Sequence, residues 1–108
     1  MKVTEKNEEP INILNNTTNT IDEKFENASK IVEQHFSETN LFSTEEKLML
    51  YGLFKVATNC ELYEKPSKLN ITQYAKWNQF SKYKSKYNPM TAKKRYVALV
   101  QLLLPRLN

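Results

Sequence analysis

STEEKLMLYGLFKVAT, residues 43–58, has the pattern of one amphipathic helix with a marked beginning. Ser43 and Glu46 have the spacing of a capping box, in which each side chain accepts a hydrogen bond from the backbone N–H of the other residue. Apolar residues then recur at helical spacing, with polar residues between them. The pattern predicts a helix that ends near Thr58 or Asn59.

Cations stand beside aromatic residues in this helix and in two later segments. Tyr51 and Lys55 are one helical turn apart, so a phenol and an ammonium lie on the same face. The same pairing recurs in Ala75–Trp77 and in Lys93–Tyr96. Such a set suits a ligand that carries both a phosphate and a purine.

Three further helices are predicted from their caps and their apolar periodicity. A capping box at Thr20–Glu23 precedes the first of the four helices. Asn70 can cap the third, and Asn88 followed by Pro89, the residue favoured at the first helical position, starts the fourth. These helices are expected to extend to about Ser37, to fade within Lys82–Tyr87, and to end near Leu104.

Composition indicates a single all-α domain behind a polar arm. One Gly and four Pro in 108 residues provide few turns for a many-stranded sheet. Residues 1–19 are polar and contain the repetitive run Asn15–Asn19, so they are predicted to be a disordered N-terminal arm. Residues 20–108 are predicted to form one four-helix domain, in which a long loop at residues 60–69 joins the second and third helices.

Charge and cysteine content restrict the ligand and the compartment. All 12 acidic residues lie at or before Glu64, and ten lysines and arginines follow it. The resulting positive field would attract phosphates, nucleic acid or anionic lipid. Cys60 is the only cysteine, which fits a reducing compartment. The first twenty residues lack the apolar run of a signal peptide, so a cytoplasmic protein is expected.

From about Phe25 to Leu104 the chain resembles the acyl-CoA-binding proteins. The Tyr-Gly-x-Phe/Tyr-Lys-Gln-Ala-Thr run of that family is echoed by residues 51–58, and its Lys-Trp pair by Lys76 and Trp77. The resemblance implies an all-α, four-helix up-down-down-up bundle. It also implies a monomeric, non-catalytic carrier of medium- to long-chain fatty acyl-CoA, in transient contact with a membrane or with acyl-CoA-using enzymes.

The resemblance also assigns the binding residues. Tyr51, Lys55 and Lys76 would hold the 3′-phosphate of CoA, the ring of Tyr96 would lie against the adenine, and Phe54 would add aromatic wall. The acyl chain would lie on the facing sides of the first two helices. The candidate residues for that apolar surface are Phe25, Ala28, Ser29, Val32, Leu48 and Leu50. Several of them must also belong to the core: for Phe25 and Val32 ordinary core packing is favoured over ligand contact, and core packing is likewise the favoured interpretation of Trp77.

Some positions depart from the family pattern. Val56 stands where the family has Gln, and Asn59 falls near the place of a Gly after Ala-Thr. Glu33 occupies a position where many members have a Lys near the phosphates, and an acid there would oppose a phosphate. Lys47 replaces an apolar residue near the expected acyl groove, so an unusual chain-length preference is expected.

Two other classes of function are open at this point. A Lys-rich nucleic-acid-binding helical domain is suggested by aromatic residues that alternate with cations; these are Trp77, Lys82, Tyr83, Lys84, Lys86 and Tyr87. Against it, nearly all the cations are Lys, and no base-reading motif is present. An enzyme is disfavoured because one His and one Cys offer neither an activated nucleophile nor metal-ligand spacing. We therefore expect no catalytic residue, no metal site and no cofactor.

The predicted fourth helix is apolar on more than one face. The residues concerned are Val97, Leu99, Val100, Leu102, Leu103 and Leu104. Part of this surface would either contact a membrane or a partner, or pack on the first helix.

Overall fold

The computed structural model describes residues 20–38 and 41–107, which form four α-helices followed by a short 3₁₀ turn. The all-α class and the four predicted helices are confirmed, and the described residues contain no strand. The predicted disordered arm, residues 1–19, lies outside the described residues. The elements are α1 (Ile21–His35), α2 (Thr44–Ala57), α3 (Ile71–Lys84), α4 (Pro89–Leu103) and the 3₁₀ turn (Leu104–Leu107).

The predicted caps are all present at the helix starts. At α1 the Thr20 hydroxyl accepts from the Glu23 N–H at 3.2 Å, and the Glu23 carboxylate accepts from the Thr20 N–H at 2.9 Å. Ser43 and Glu46 make the same reciprocal pair at α2, with distances of 3.0 and 2.8 Å. Single side-chain caps begin α3 at Asn70 and α4 at Asn88. Local sequence therefore determines where each helix begins.

The end of α2 is closed by a left-handed residue. Asn59 has φ 58° and its N–H donates to the Val56 carbonyl, while the Cys60 N–H donates to the Lys55 carbonyl, both at 3.0 Å. These bonds satisfy carbonyls that the helix leaves free, in the manner of a Schellman motif. Asn59 therefore does here what a Gly usually does at this place.

The helices pack around α2 and α4. α2 lies against both α3 and α4, whereas α1 lies mainly against α4. Gly52 lets α2 and α3 approach closely, because a Cβ at this position would lie 2.7 Å from the Tyr83 ring. The largest fully buried side chains are Leu50, Phe80, Val100, Leu103 and Leu104. Since α1 is held by α4, a groove remains between α1 and α2 with α4 as its floor.

Two ion pairs join helices and the 3₁₀ turn across residues that are far apart in sequence. Lys93 of α4 reaches Asp22 at the start of α1, and Arg106 of the 3₁₀ turn reaches Glu46 at the start of α2, both at 2.7 Å. The apolar residues at the end of α4 are mostly buried, but Leu102 is 75% exposed. Within residues 20–38 and 41–107, no helix has the length and apolar character needed to cross a bilayer.

Candidate functional site

Three predicted phosphate-binding side chains lie together at the contact between α2 and α3. The Lys55 ammonium is 5.7 Å from the centre of the Tyr51 ring, and the Lys76 ammonium is 5.5 Å from the same point. Tyr51 and Lys55 are neighbours because they are one turn apart, and the packing of α3 on α2 brings in Lys76. Both cations lie within reach of the π face. We call Tyr51, Lys55 and Lys76 the cradle.

A fourth side chain, which the sequence did not indicate, completes the polar end of this site. Tyr63, from the loop between α2 and α3, places its hydroxyl 3.2 Å from the Tyr51 hydroxyl. Burial raises the pKa of Tyr51 above its ordinary value, and the hydrogen bond with Tyr63 raises it further. Tyr51 therefore keeps its proton at neutral pH and can donate it. The only sequence signal for Tyr63 was its place in a long loop.

The loop that carries Tyr63 is fastened to α3. The Trp77 indole N–H donates to the Tyr63 carbonyl at 2.9 Å, and the Lys84 ammonium donates to the Cys60 carbonyl, also at 2.9 Å. Phe80, fully buried, lies beneath both phenols, with ring centres 6.5 Å from Tyr51 and 6.1 Å from Tyr63. Trp77 is only partly buried, because its N–H reaches the loop, so it is not the core residue that the sequence suggested.

The aromatic residues next to the cradle differ sharply in exposure. Phe54 is 38% exposed, whereas Tyr96 is 2% exposed, and their ring centres are 6.1 Å apart. Phe25 covers Tyr96 edge-on at 5.0 Å, and burial raises the pKa of the Tyr96 phenol. Phe25 is also stacked on Phe54 at 5.7 Å, but Phe54 keeps an exposed side, so it is the ring that a base can reach here. Stacking on Tyr96 itself would require Phe54 to move.

An apolar groove runs between α1 and α2 and leads to Tyr51. Its wider part is a hollow of about 390 Å³, and its deeper part is an adjoining hollow of about 150 Å³. Both parts share Val32, Phe36, Phe54 and Tyr96. Ser29 and Glu33 line only the wider part, and Leu50 and Tyr51 only the deeper part. Because Tyr51 also belongs to the cradle, the apolar groove and the cationic cluster adjoin at this residue.

The structure divides the residues predicted for the acyl chain into three groups. Ser29, Val32 and Leu50 line the groove, and Val32 and Leu50, which are 7% and 2% exposed, also belong to the core. Phe25 and Ala28 are 9% and 0% exposed and belong to the core, as the packing alternative supposed. The remaining candidate, Leu48, is partly buried and lines neither hollow.

Three residues that the sequence did not place in the acyl set shape the groove. Phe36 is 40% exposed and lines both hollows. The Lys47 ammonium lies 5.3 Å from the centre of the Phe36 ring, so a cation stands at this end of the groove. Glu33 lines the wider hollow, which adds a negative charge to a groove that is otherwise mainly apolar.

Comparisons with known proteins agree with the fold. A family model described as acyl-CoA-binding protein matches residues 22–100. Among solved structures, the crystal structure of Oryza sativa acyl-CoA-binding protein 2 is similar, with 28% sequence identity and a TM-score of 0.66. The similarity covers 82% of this chain and 94% of the rice chain. A comparison with curated proteins gave no match.

Proposed function

Since this chain belongs to the acyl-CoA-binding protein family, we propose that it binds medium- to long-chain fatty acyl-CoA esters and buffers or transports them unchanged. The observation that carries the proposal is that Tyr51 belongs both to the lining of the apolar groove and to the cradle. A ligand with a phosphorylated head and a hydrocarbon tail matches this arrangement in both parts.

The polar part of the site supports recognition of the 3′-phosphate of CoA. One exposed ion pair contributes only about 0–1 kcal/mol, so a single lysine would not hold a phosphate against salt. Two ammoniums and a protonated phenol that converge can make several charge-assisted hydrogen bonds to one anion. We assign this role to Lys55, Lys76 and Tyr51, with the base on the exposed face of Phe54.

The apolar part supports binding of the acyl chain. Each buried methylene contributes about 0.8 kcal/mol, so a chain laid along the groove adds more than any one polar contact. We assign the chain to the surface formed by Val32, Leu50 and Phe36. The ammonium of Lys47 beside Phe36 opposes the burial of further methylenes at that end, because a charge desolvated by hydrocarbon loses its hydration.

The hydrogen bond of the Ser29 hydroxyl, which lies in the wider hollow, agrees with a binding function without catalysis. The Ser29 Oγ–H donates to the backbone carbonyl of Glu26 at 2.9 Å. A backbone carbonyl is not a base that could activate a nucleophile. We further propose a cytoplasmic location, which the free Cys60 supports.

The proposal is tested by calorimetric titration of the full chain with palmitoyl-CoA, free palmitate, 3′-dephospho-palmitoyl-CoA and a single-stranded oligonucleotide in the same moderate salt. We expect tight binding of palmitoyl-CoA alone. Tyr51→Phe combined with Lys55→Gln should weaken that binding at least tenfold, since two charge-assisted contacts are lost. Lys82→Gln, an exposed lysine outside the cradle, is the control. Oligonucleotide binding of equal strength would contradict the proposal and favour the nucleic-acid alternative.

The absence of catalysis is tested separately. Palmitoyl-CoA incubated overnight with the chain should be recovered intact by mass spectrometry. Free CoA above the level of a protein-free control would show hydrolysis and contradict a carrier function.

A further inference from the structure

We infer that Tyr63 is a second phenolic donor to the phosphate in the cradle, and that it sets the preference of this chain for 3′-phosphorylated over dephosphorylated CoA esters. The inference rests on the proposed function, because it concerns the same ligand and the same site. It adds a loop residue to a cradle otherwise made of α2 and α3.

The two phenols are placed to donate to one anion. Their oxygens are 3.2 Å apart, so both hydroxyls lie close enough to each other to donate to the same phosphate group. The hydrogen bond between them uses one of the two phenolic protons, which leaves the other proton free. A phosphate in front of the pair can accept from both hydroxyls at once. Two bonds to an anion replace one neutral bond, and bonds to an anion are the stronger kind.

The position of Tyr63 does not depend on a ligand. Its carbonyl is held by the Trp77 indole at 2.9 Å, and its ring lies on Phe80. The start of the same loop is held by the bond from Lys84 to the Cys60 carbonyl. A donor that is already fixed loses little conformational entropy when the ligand binds, which favours affinity. Tyr63 is also 36% exposed, so a ligand can reach it.

The charges around the two phenols favour an anion. Lys55 and Lys76 both lie within 6 Å of the Tyr51 ring, and in the described part of the chain neither forms a salt bridge. Their positive charge remains available to a ligand. A carboxylate has only two oxygens, both of which the phenols would use, whereas a phosphate monoester has a third terminal oxygen that can accept from the ammoniums.

The experiment compares two ligands on three chains. The dissociation constants of palmitoyl-CoA and 3′-dephospho-palmitoyl-CoA are measured for the wild type, for Tyr63→Phe and for Tyr87→Phe. Tyr63→Phe should weaken palmitoyl-CoA about tenfold and the dephosphorylated ester less than twofold, because it removes one charge-assisted hydrogen bond. Tyr87→Phe is the control, because it also removes a phenolic hydroxyl. The Tyr87 ring lies outside the cradle, with the Arg95 guanidinium 4.6 Å from its centre, so neither dissociation constant should change.

A positioning role for Trp77 follows and gives a second readout. Trp77→Phe keeps an aromatic ring but removes the N–H that holds the loop. The preference for palmitoyl-CoA, measured as the dissociation constant of the dephosphorylated ester divided by that of palmitoyl-CoA, should therefore fall, but by a smaller factor than in Tyr63→Phe. Circular dichroism should show unchanged helicity in all the variants.

The outcomes separate this inference from the proposed function. If the wild type binds palmitoyl-CoA tightly and prefers it to the dephosphorylated ester, and Tyr63→Phe leaves that preference intact, the role of Tyr63 is refuted and the carrier function stands. An equal loss for both ligands in Tyr63→Phe would also refute it, since the phenol would then act on the loop alone. Failure of the wild type to bind palmitoyl-CoA would refute both.

Discussion

Single side chains in the groove can oppose the ligand as well as bind it, and Glu33 is the clearest case. It is an exposed carboxylate in the lining of the wider hollow. We assign this groove to the acyl chain of a ligand whose head group is polyanionic. Replacement by Gln removes a like charge, and charges exposed to water interact by about 0–1 kcal/mol. Glu33→Gln should therefore tighten palmitoyl-CoA binding by up to about fivefold.

Calorimetry at low and at high salt measures this effect. The gain should shrink at high salt, because ions screen interactions between exposed charges. Glu26→Gln is the matched control, since Glu26 is an exposed α1 carboxylate that faces Lys30. Weaker binding by Glu33→Gln would mean that the carboxylate helps the ligand rather than repelling it.

At this scale the sequence predicted what spacing along one helix can determine. Tyr51 and Lys55 were expected together and lie together, because four residues make one turn. Their approach to Lys76 and the burial of Tyr96 both depend on how the helices pack. The resemblance predicted the approach to Lys76, but it did not predict the burial of Tyr96. The place of Tyr63 in the site could not be predicted from the sequence, because its contact with Tyr51 depends on how Trp77 holds the loop.

Between elements, the closest approach is the one between α2 and α3 at Gly52. A methyl group at Gly52 would lie 2.7 Å from the Tyr83 ring and 3.1 Å from the Gln79 side chain. Gly52→Ala gains about 1 kcal/mol of helix propensity, but overpacking a tight contact costs about 1–3 kcal/mol. Since the contact atom belongs to the ring of a buried tyrosine and not to the end of a flexible side chain, we expect a net loss of about 1 kcal/mol in the free energy of unfolding.

Urea denaturation of Gly52→Ala, Tyr83→Leu and the double variant gives the coupling between the two positions. The double variant should be more stable than the sum of the single changes predicts, because the smaller side chain makes room for the methyl group. If Gly52→Ala alone is as stable as the wild type, the close approach is not what requires a Gly at this position.

For the elements themselves, prediction from sequence was nearly complete. Each start carries its own cap, so the boundaries are encoded within a few residues of where they occur. The groove was expected between the first two helices, but only part of its lining was. Phe36 and Glu33 face it because α1 packs on α4, a relation between residues far apart in sequence.

For the whole molecule, the ion pair between Arg106 of the 3₁₀ turn and Glu46 at the start of α2 makes stability depend on pH. The hydrogen bond from Arg106 and the backbone N–H of Ser43 lower the pKa of Glu46 from its ordinary value of 4.5. A carboxyl whose pKa is lowered by folding stabilises the folded state above its unfolded pKa. That contribution is lost as the pH falls through the lowered pKa. Arg106→Gln should therefore destabilise the chain near neutral pH, by no more than about 1 kcal/mol for so exposed a pair.

Thermal denaturation of the wild type and of Arg106→Gln at about pH 7 and about pH 3 tests this prediction. The difference between the two proteins should become smaller as the pH falls through the lowered pKa of Glu46. Arg95→Gln is the control, because Arg95 lies over the Tyr87 ring, and its effect should vary little with pH. A difference for Arg106→Gln that is the same at both pH values would mean that Arg106 acts through packing.

The bond between Trp77 and the Tyr63 carbonyl gives the chain an intrinsic fluorophore next to the cradle. Trp77 is the only tryptophan, its indole is bonded to the loop, and the Lys65 ammonium lies 5.6 Å from its ring centre. Indole emission responds to the polarity and charge of its surroundings. Any ligand that moves this loop or displaces that lysine will change the emission spectrum. The rates of ligand binding and release can therefore be measured by stopped-flow fluorescence on the unlabelled protein.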